Sequence, residues 1–385
     1  MSGIYLDYAA ATPMAEEAVA AMAPFQTDRF FNPSAVYQSA REVRGSLERA
    51  RSTVASVLGA KDQEIVFTAG GTEANNVAID GILSQHPDAE VLVLSIEHES
   101  VLEPAKQFKH TIIPVDSHGI LDVHTLKARI TPQTALISVM YANNEIGTIQ
   151  PIKQLVELVK QLRTQRIKDG NTLPLYVHTD ACQAANYLDL SVARLGVDLM
   201  TLNGGKIYAA KQSGCLYVRS SVQIHPLIRG GGQESDLRSG TENVAAIHAF
   251  ATMLQKVQLD RKDEAERLAK IRDDLFATLS QNISGIFLNG HKNKRLPNNL
   301  NITIPGVDGE RLLMELDEAG VMVATGSACT ASNDEPSHVL RACGLSPEEA
   351  SASLRITLGR PTTVDEIEKT STILVKTISA HRKLV

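Results

Sequence analysis

Short uninterrupted runs of aliphatic and β-branched residues recur along the chain, separated by longer stretches with apolar positions three and four apart. The runs fall at 64–68, 90–95, 111–115, 134–139, 175–178, 199–202 and 214–218. Without polar alternation, such runs predict strands buried on both faces. The pattern over 152–168 predicts a helix, and alternation of this kind predicts a doubly wound α/β domain with a mostly parallel sheet. From 242 to about 281 the spacing becomes continuously helical, through Val244, Ile247, Phe250, Leu254 and Val257. Beyond it, 301–304, 321–324 and 353–357 read as short strands. Helical patterns at 309–319, 337–343 and 364–382 complete a smaller α+β domain. The division expected is 15–260 for the large domain and 1–14 with 261–385 for the small one.

Composition narrows the field modestly. The chain has 385 residues, 43% of them hydrophobic and 21% charged, with a formal net charge of −6. This balance favours neither nucleic acid nor an anionic membrane as partner. No apolar stretch is long enough to span a bilayer, and the first residues carry no secretory signal pattern, so a cytoplasmic setting is expected. The four cysteines, Cys182, Cys215, Cys329 and Cys343, are far apart. That spacing argues against a disulfide framework and against a zinc site, so no metal is expected. Cys182, Cys215 and Cys343 read as small buried hydrophobes, Cys182 on a helix facing the sheet.

Cys329 differs. It lies in Ala324-Thr-Gly-Ser-Ala-Cys-Thr-Ala-Ser332, followed by Asn333-Asp-Glu-Pro336. This composition predicts a loop at about 324–336 that brings a thiol to solvent. Far upstream, Lys206 follows two glycines and precedes an apolar run, a setting that suits imine formation. Asp180 ends a predicted strand, where ligands of open α/β sheets gather; it reads equally as the cap of a helix starting at Ala181. The segment Gly70-Gly-Thr-Glu-Ala-Asn-Asn76 joins a strand to a helix. It suits either a phosphate at the helix start or a tight turn capped by Thr72. His98 follows another strand and suits stacking on a ring, proton transfer or a structural role. A lysine for a Schiff base, an aspartate for a pyridinium nitrogen and a reachable thiol together suggest pyridoxal 5'-phosphate (PLP) chemistry on sulfur.

The sequence resembles the class V branch of fold-type I PLP enzymes, in particular the cysteine desulfurases of the iron–sulfur-cluster and nitrogen-fixation type. The likeness is carried by Tyr5-Leu-Asp-Tyr-Ala-Ala10, Asn32-Pro-Ser34, Gly71 to Asn76, Glu97-His98, Asn143-Asn-Glu-Ile-Gly147 and His178 to Gln183. It continues through Gly204 to Lys211, Arg238-Ser-Gly-Thr-Glu-Asn243, Gly326-Ser-Ala-Cys-Thr330 and Leu354-Arg-Ile-Thr-Leu-Gly-Arg360. The resemblance implies that Lys206 holds PLP, Asp180 keeps its ring nitrogen protonated, and His98 stacks on the ring. Gln183 would contact the phenolic oxygen, with Asn144 beside it near the substrate. Gly71, Thr72 and Asn203 would take the phosphate with Thr241 from a second subunit, which implies a homodimer. Arg355, assisted by Asn32, would clamp the substrate carboxylate.

L-cysteine would then become L-alanine, with Lys206 or His98 moving the α-proton. Cys329 would take the sulfur as a persulfide for a sulfur-acceptor protein such as an iron–sulfur scaffold, for cluster assembly or tRNA thiolation. The same resemblance leaves open a selenocysteine lyase, another class V activity, or a sulfur-transfer scaffold that binds the cofactor weakly. The chain departs from the family pattern near the phosphate. Asn203 and Gly205 stand where a serine and a histidine are usual, Tyr37 stands for a histidine, and Ala209-Ala-Lys-Gln212 replaces Gly-Pro-Lys-Gly. Loss of one charged hydrogen bond at Gly205 costs about 1.5–3 kcal/mol, which predicts weaker PLP retention.

Overall fold

The computed structural model describes residues 3–326 and 336–382. Seven strands form the large sheet: β1 (Ile65–Thr68), β2 (Glu90–Leu94), β3 (Lys109–Ile113), β4 (Thr134–Ser138), β5 (Tyr176–Asp180), β6 (Leu199–Asn203) and β7 (Gly214–Val218). Their spatial order is β1-β7-β6-β5-β4-β2-β3. All neighbours are parallel except those of β7, which runs antiparallel to both β1 and β6. The uninterrupted apolar runs have the expected cause. In β1, Ile65 and Phe67 enter one core while Val66 enters another on the opposite face; in β2, Leu92 and Leu94 separate from Val91 and Val93 in the same way. Both faces are covered, so neither alternate set is polar.

A second core gathers round an antiparallel sheet of Asn299–Thr303 between Ser353–Thr357 and Phe287–Leu288. The helix Val244–Asn282 belongs to both. Its first part sends Ile247, Phe250 and Leu254 into the large core, and its last part sends Leu268, Leu275 and Leu279 into the small one. Leu6, at the other end of the chain, also enters the small core, beside the parallel pairing of Ile4–Tyr5 with Val321–Met322. Among the described residues no helix is long and apolar enough to cross a membrane.

Some expected elements shift. The helix Ile152–Lys168 and the strand Gly214–Val218 have the expected bounds. The strand expected at 111–115 lies at Lys109–Ile113, on the sheet edge, where exposed Lys109 and His110 mask the pattern. The helix expected from Ala181 does not form. Residues there make successive turns, and Cys182 sits in one of them rather than on a helix. Two helices, Glu16–Gln26 and Gln38–Leu58, were not expected, although Val43, Leu47, Val54 and Leu58 of the second have helical spacing and are buried.

Candidate active site

A cleft lies at the carboxyl edge of the large sheet, enclosing about 650 Å³ of empty space with its solvent mouth included. Strand ends deliver its wall. Asp180 closes β5, Asn203 closes β6 and Lys206 follows in a 3-10 turn, Gly204–Lys206. Gly71 and Thr72 begin the helix Gly71–Leu83 just after β1, and His98 begins Glu99–Ala105 after β2. Asn144 comes from the loop after β4, Gln183 from the turns after Asp180, and Arg355 from the small sheet; all line the cleft. Asn32 and Thr241 are exposed and are not among the lining residues. Cys329 lies outside the described residues.

Each side chain is held. The Asp180 carboxylate accepts from Asn75 Nδ2 at 2.7 Å on one oxygen and from the Cys182 amide at 2.9 Å on the other. Asn75 also donates to Ser100 Oγ at 2.8 Å, and the Ser100 amide donates to His98 Nδ1 at 3.0 Å. Because Nδ1 accepts, a neutral His98 carries its proton on Nε2. Lys206 Nζ donates to the carbonyls of Ala9 at 2.9 Å and Ala10 at 2.5 Å, and Gln183 Nε2 donates to Ala9 O at 2.9 Å. Arg355 pairs with Asp7 at 2.7 Å.

Burial shifts two neighbours. It pushes the Glu97 carboxyl well above the carboxylate range, aided by the charge of Asp180. Burial likewise pushes the Cys182 thiol far up, which keeps it unreactive although it lines the cleft.

The residues fit PLP. A Cβ on Gly71 would come within 2.8 Å of Cys182 Sγ and 3.5 Å of Asn203 Nδ2, so glycine keeps the helix start open beside an amide donor. Amide N–H groups at the start of a 13-residue helix suit a phosphate. Asp180 is a carboxylate for a ring nitrogen, His98 a flat face for a ring, and Lys206 an amine for an aldehyde carbon.

A sequence profile of the class-V aminotransferases matches residues 4–370. The chain belongs to the class-V aminotransferase family. Within it, this member is 42% identical over 99% of its length to cysteine desulfurase IscS of Dictyoglomus turgidum, covering 96% of that protein. It is 39% identical to cysteine desulfurase IscS 1 of Archaeoglobus fulgidus, over 99% of this chain and 98% of that one. A solved NifS-like protein superposes with a TM-score of 0.89 at 30% identity, covering 98% of this chain and 100% of the other.

Sequence reasoning on this class-V protein passed over Asn75, Ser100 and Asp7 as contributors to the site. Asn75 had a signal, since it lies one helical turn beyond Gly71 and therefore on the same face. Asp7 had none, because its partner is 348 residues away.

Proposed function

We propose that the protein is a PLP-dependent cysteine desulfurase, converting L-cysteine to L-alanine and passing the sulfur to Cys329 as a persulfide for iron–sulfur cluster assembly. The observation that carries the reading is the convergence of Gly71, His98, Asp180, Lys206 and Arg355 on one cleft. When bound there, PLP supplies a sink for the electron pair released as the substrate α-carbon loses its proton.

The chain's own groups do the rest. Gly71, Thr72 and Asn203 would hold the phosphate, with Thr241 offered to the site of a second copy in a homodimer. Asp180 would pair with the ring nitrogen, His98 would stack on the ring, and Gln183 and Asn144 would contact the cofactor beside it. Arg355, with Asn32, fixes the substrate carboxylate, which aligns the α-proton with the Lys206 amine or the His98 imidazole. The Cys329 thiolate then attacks the substrate sulfur, the carbon–sulfur bond breaks with its electron pair left on carbon, and protons delivered to the β-carbon and the α-carbon yield alanine. In this reading residues 15–260 bind PLP, while 1–14 and 261–385 form the smaller domain with the cysteine loop. A sulfur-acceptor protein takes the persulfide, and the reaction belongs to the cytoplasm.

The test is alanine formed from L-cysteine with saturating PLP and a reductant, comparing the native protein with Cys329→Ala. Alanine from the native protein and little from the variant is expected. Equal alanine from both would overturn the role of Cys329, and none from either with PLP bound would overturn the substrate.

A further inference from the structure

The N-terminal segment forms a strap between the small sheet and the Lys206 turn. On one side Leu6 O accepts from the Thr357 amide at 2.8 Å, and the Ala9 amide donates to Thr357 Oγ1 at 3.0 Å. On the other, Ala9 O accepts from Lys206 and Gln183, and Thr12 Oγ1 donates to Gly205 O at 3.1 Å. Within this strap Asp7 Oδ1 accepts from Arg355 Nη2 at 2.7 Å. Arg355 lines the cleft and Asp7 does not, so the aspartate stands behind the arginine.

We propose that Asp7 is a positioning residue that sets which edge of the Arg355 guanidinium meets an incoming carboxylate, and thereby favours α-carboxylated amines over simple amines. The inference rests on Arg355 being the carboxylate clamp. A guanidinium has five N–H donors in a fixed plane. One Nη2 hydrogen goes to Asp7, and Nη1 makes only a long contact of 3.4 Å to Asn144 O. Nε has no hydrogen-bond partner among the described residues. The edge formed by Nε and the second Nη2 hydrogen is therefore left for a two-oxygen acceptor.

Arg355 lines the cleft but is only 1% exposed, and the Asp7 charge offsets its burial before substrate arrives. Asp7 is itself fixed. Its backbone bridges to Thr357, two residues along the strand from Arg355, and its carbonyl accepts from the Tyr5 hydroxyl at 2.9 Å. Strand geometry thus sets the spacing of the pair.

The experiment titrates the holoenzyme with L-alanine, which has a carboxylate, and with ethylamine, which has none, following the visible absorbance of bound PLP. Asp7→Asn should raise the half-saturating L-alanine concentration about tenfold, the loss expected of one charged hydrogen bond, and change that for ethylamine by less than about twofold. The ratio of the two constants comes from one sample, so a reduced folded fraction does not move it. If Asp7→Asn cannot be purified, Asp7→Glu, which keeps the charge but displaces it, should shift the same ratio. A counter-ion needed only for stability would lower the unfolding midpoint and leave the ratio unchanged, which overturns the proposal. Arg355→Ala is run beside it. If that variant leaves the L-alanine constant unchanged, the clamp itself is wrong and the proposal falls with it. If Arg355→Ala weakens L-alanine and Asp7→Asn does not, the positioning role alone is refuted.

Discussion

Restoring an imidazole at position 205 should tighten PLP binding, and the structure sets the conditions for the gain. The Gly205 amide donates to Asn203 Oδ1 at 3.0 Å, and its carbonyl accepts from Thr12 Oγ1 at 3.1 Å, so the peptide is fixed on both sides. Gly205 is outside the left-handed region, and an added Cβ would meet Asn203 Oδ1 at 3.5 Å and Lys211 Cγ at 3.8 Å. Both are ordinary contacts, so Gly205→His need not move the backbone. A hydrogen bond from imidazolium to phosphate contributes about 1.5–3 kcal/mol, and ordering the new side chain costs about 0.5–1 kcal/mol. The net of about 0.5–2.5 kcal/mol corresponds to an about two- to seventyfold lower dissociation constant. The assay removes PLP, adds it back in steps and reads the absorbance of the bound form near pH 6.5 and pH 8.5. The gain should be larger at the lower pH, where more imidazole is charged. An unchanged dissociation constant at both pH values, in a variant that unfolds like the parent, would refute the account.

Two further predictions concern stability. Glu234 accepts from both terminal nitrogens of Arg51 at 2.8 Å and from the Phe67 amide at 2.8 Å, with only 2% of its side chain exposed. Glu234→Gln leaves the Arg51 charge with only the half-exposed Glu48 carboxylate and should destabilise the protein by about 3 kcal/mol in a urea titration; an unmoved midpoint contradicts this. His178, buried between Ser138 and Thr201, is pushed down by burial from 6.5 to about 4. The unfolded chain therefore takes up this proton first on acidification, so the contribution is full above pH 6.5 and lost as pH falls toward 4. The slope of stability against pH in that window should flatten in His178→Gln, and an identical slope tells against it.

Much of the large sheet was legible because most of its central strands are buried on both faces and mostly apolar. Legibility failed where polar side chains are buried on purpose. The run expected to stop at His178 continues through Thr179 and Asp180, because Thr179 Oγ1 donates to Val139 O at 2.7 Å and Asp180 is held by Asn75. At Ala181 a capping aspartate was read as a helix start. The same carboxylate takes the Cys182 amide in a turn, and the chain then bends rather than coils. The site's large-domain residues were legible through their places at strand ends. Arg355 was reached only through the family resemblance and its Asp7 partner not at all, since the hydrogen-bond pattern of one sheet cannot announce which distant segment will lie against it.

The strap from Tyr5 to Thr12 also bears on how the protein is made. Asp7 leaves the ribosome 348 residues before Arg355, a delay of about 20 to 70 s at ordinary elongation rates. Over the later part of that interval Lys206, Gln183 and the strand ends can be in place, yet Asp7 still lacks its counter-charge and Leu6 its core. On the roles proposed above, a nascent chain gains its cofactor-holding residues well before the strand Ser353–Thr357 supplies the arginine that would align a substrate.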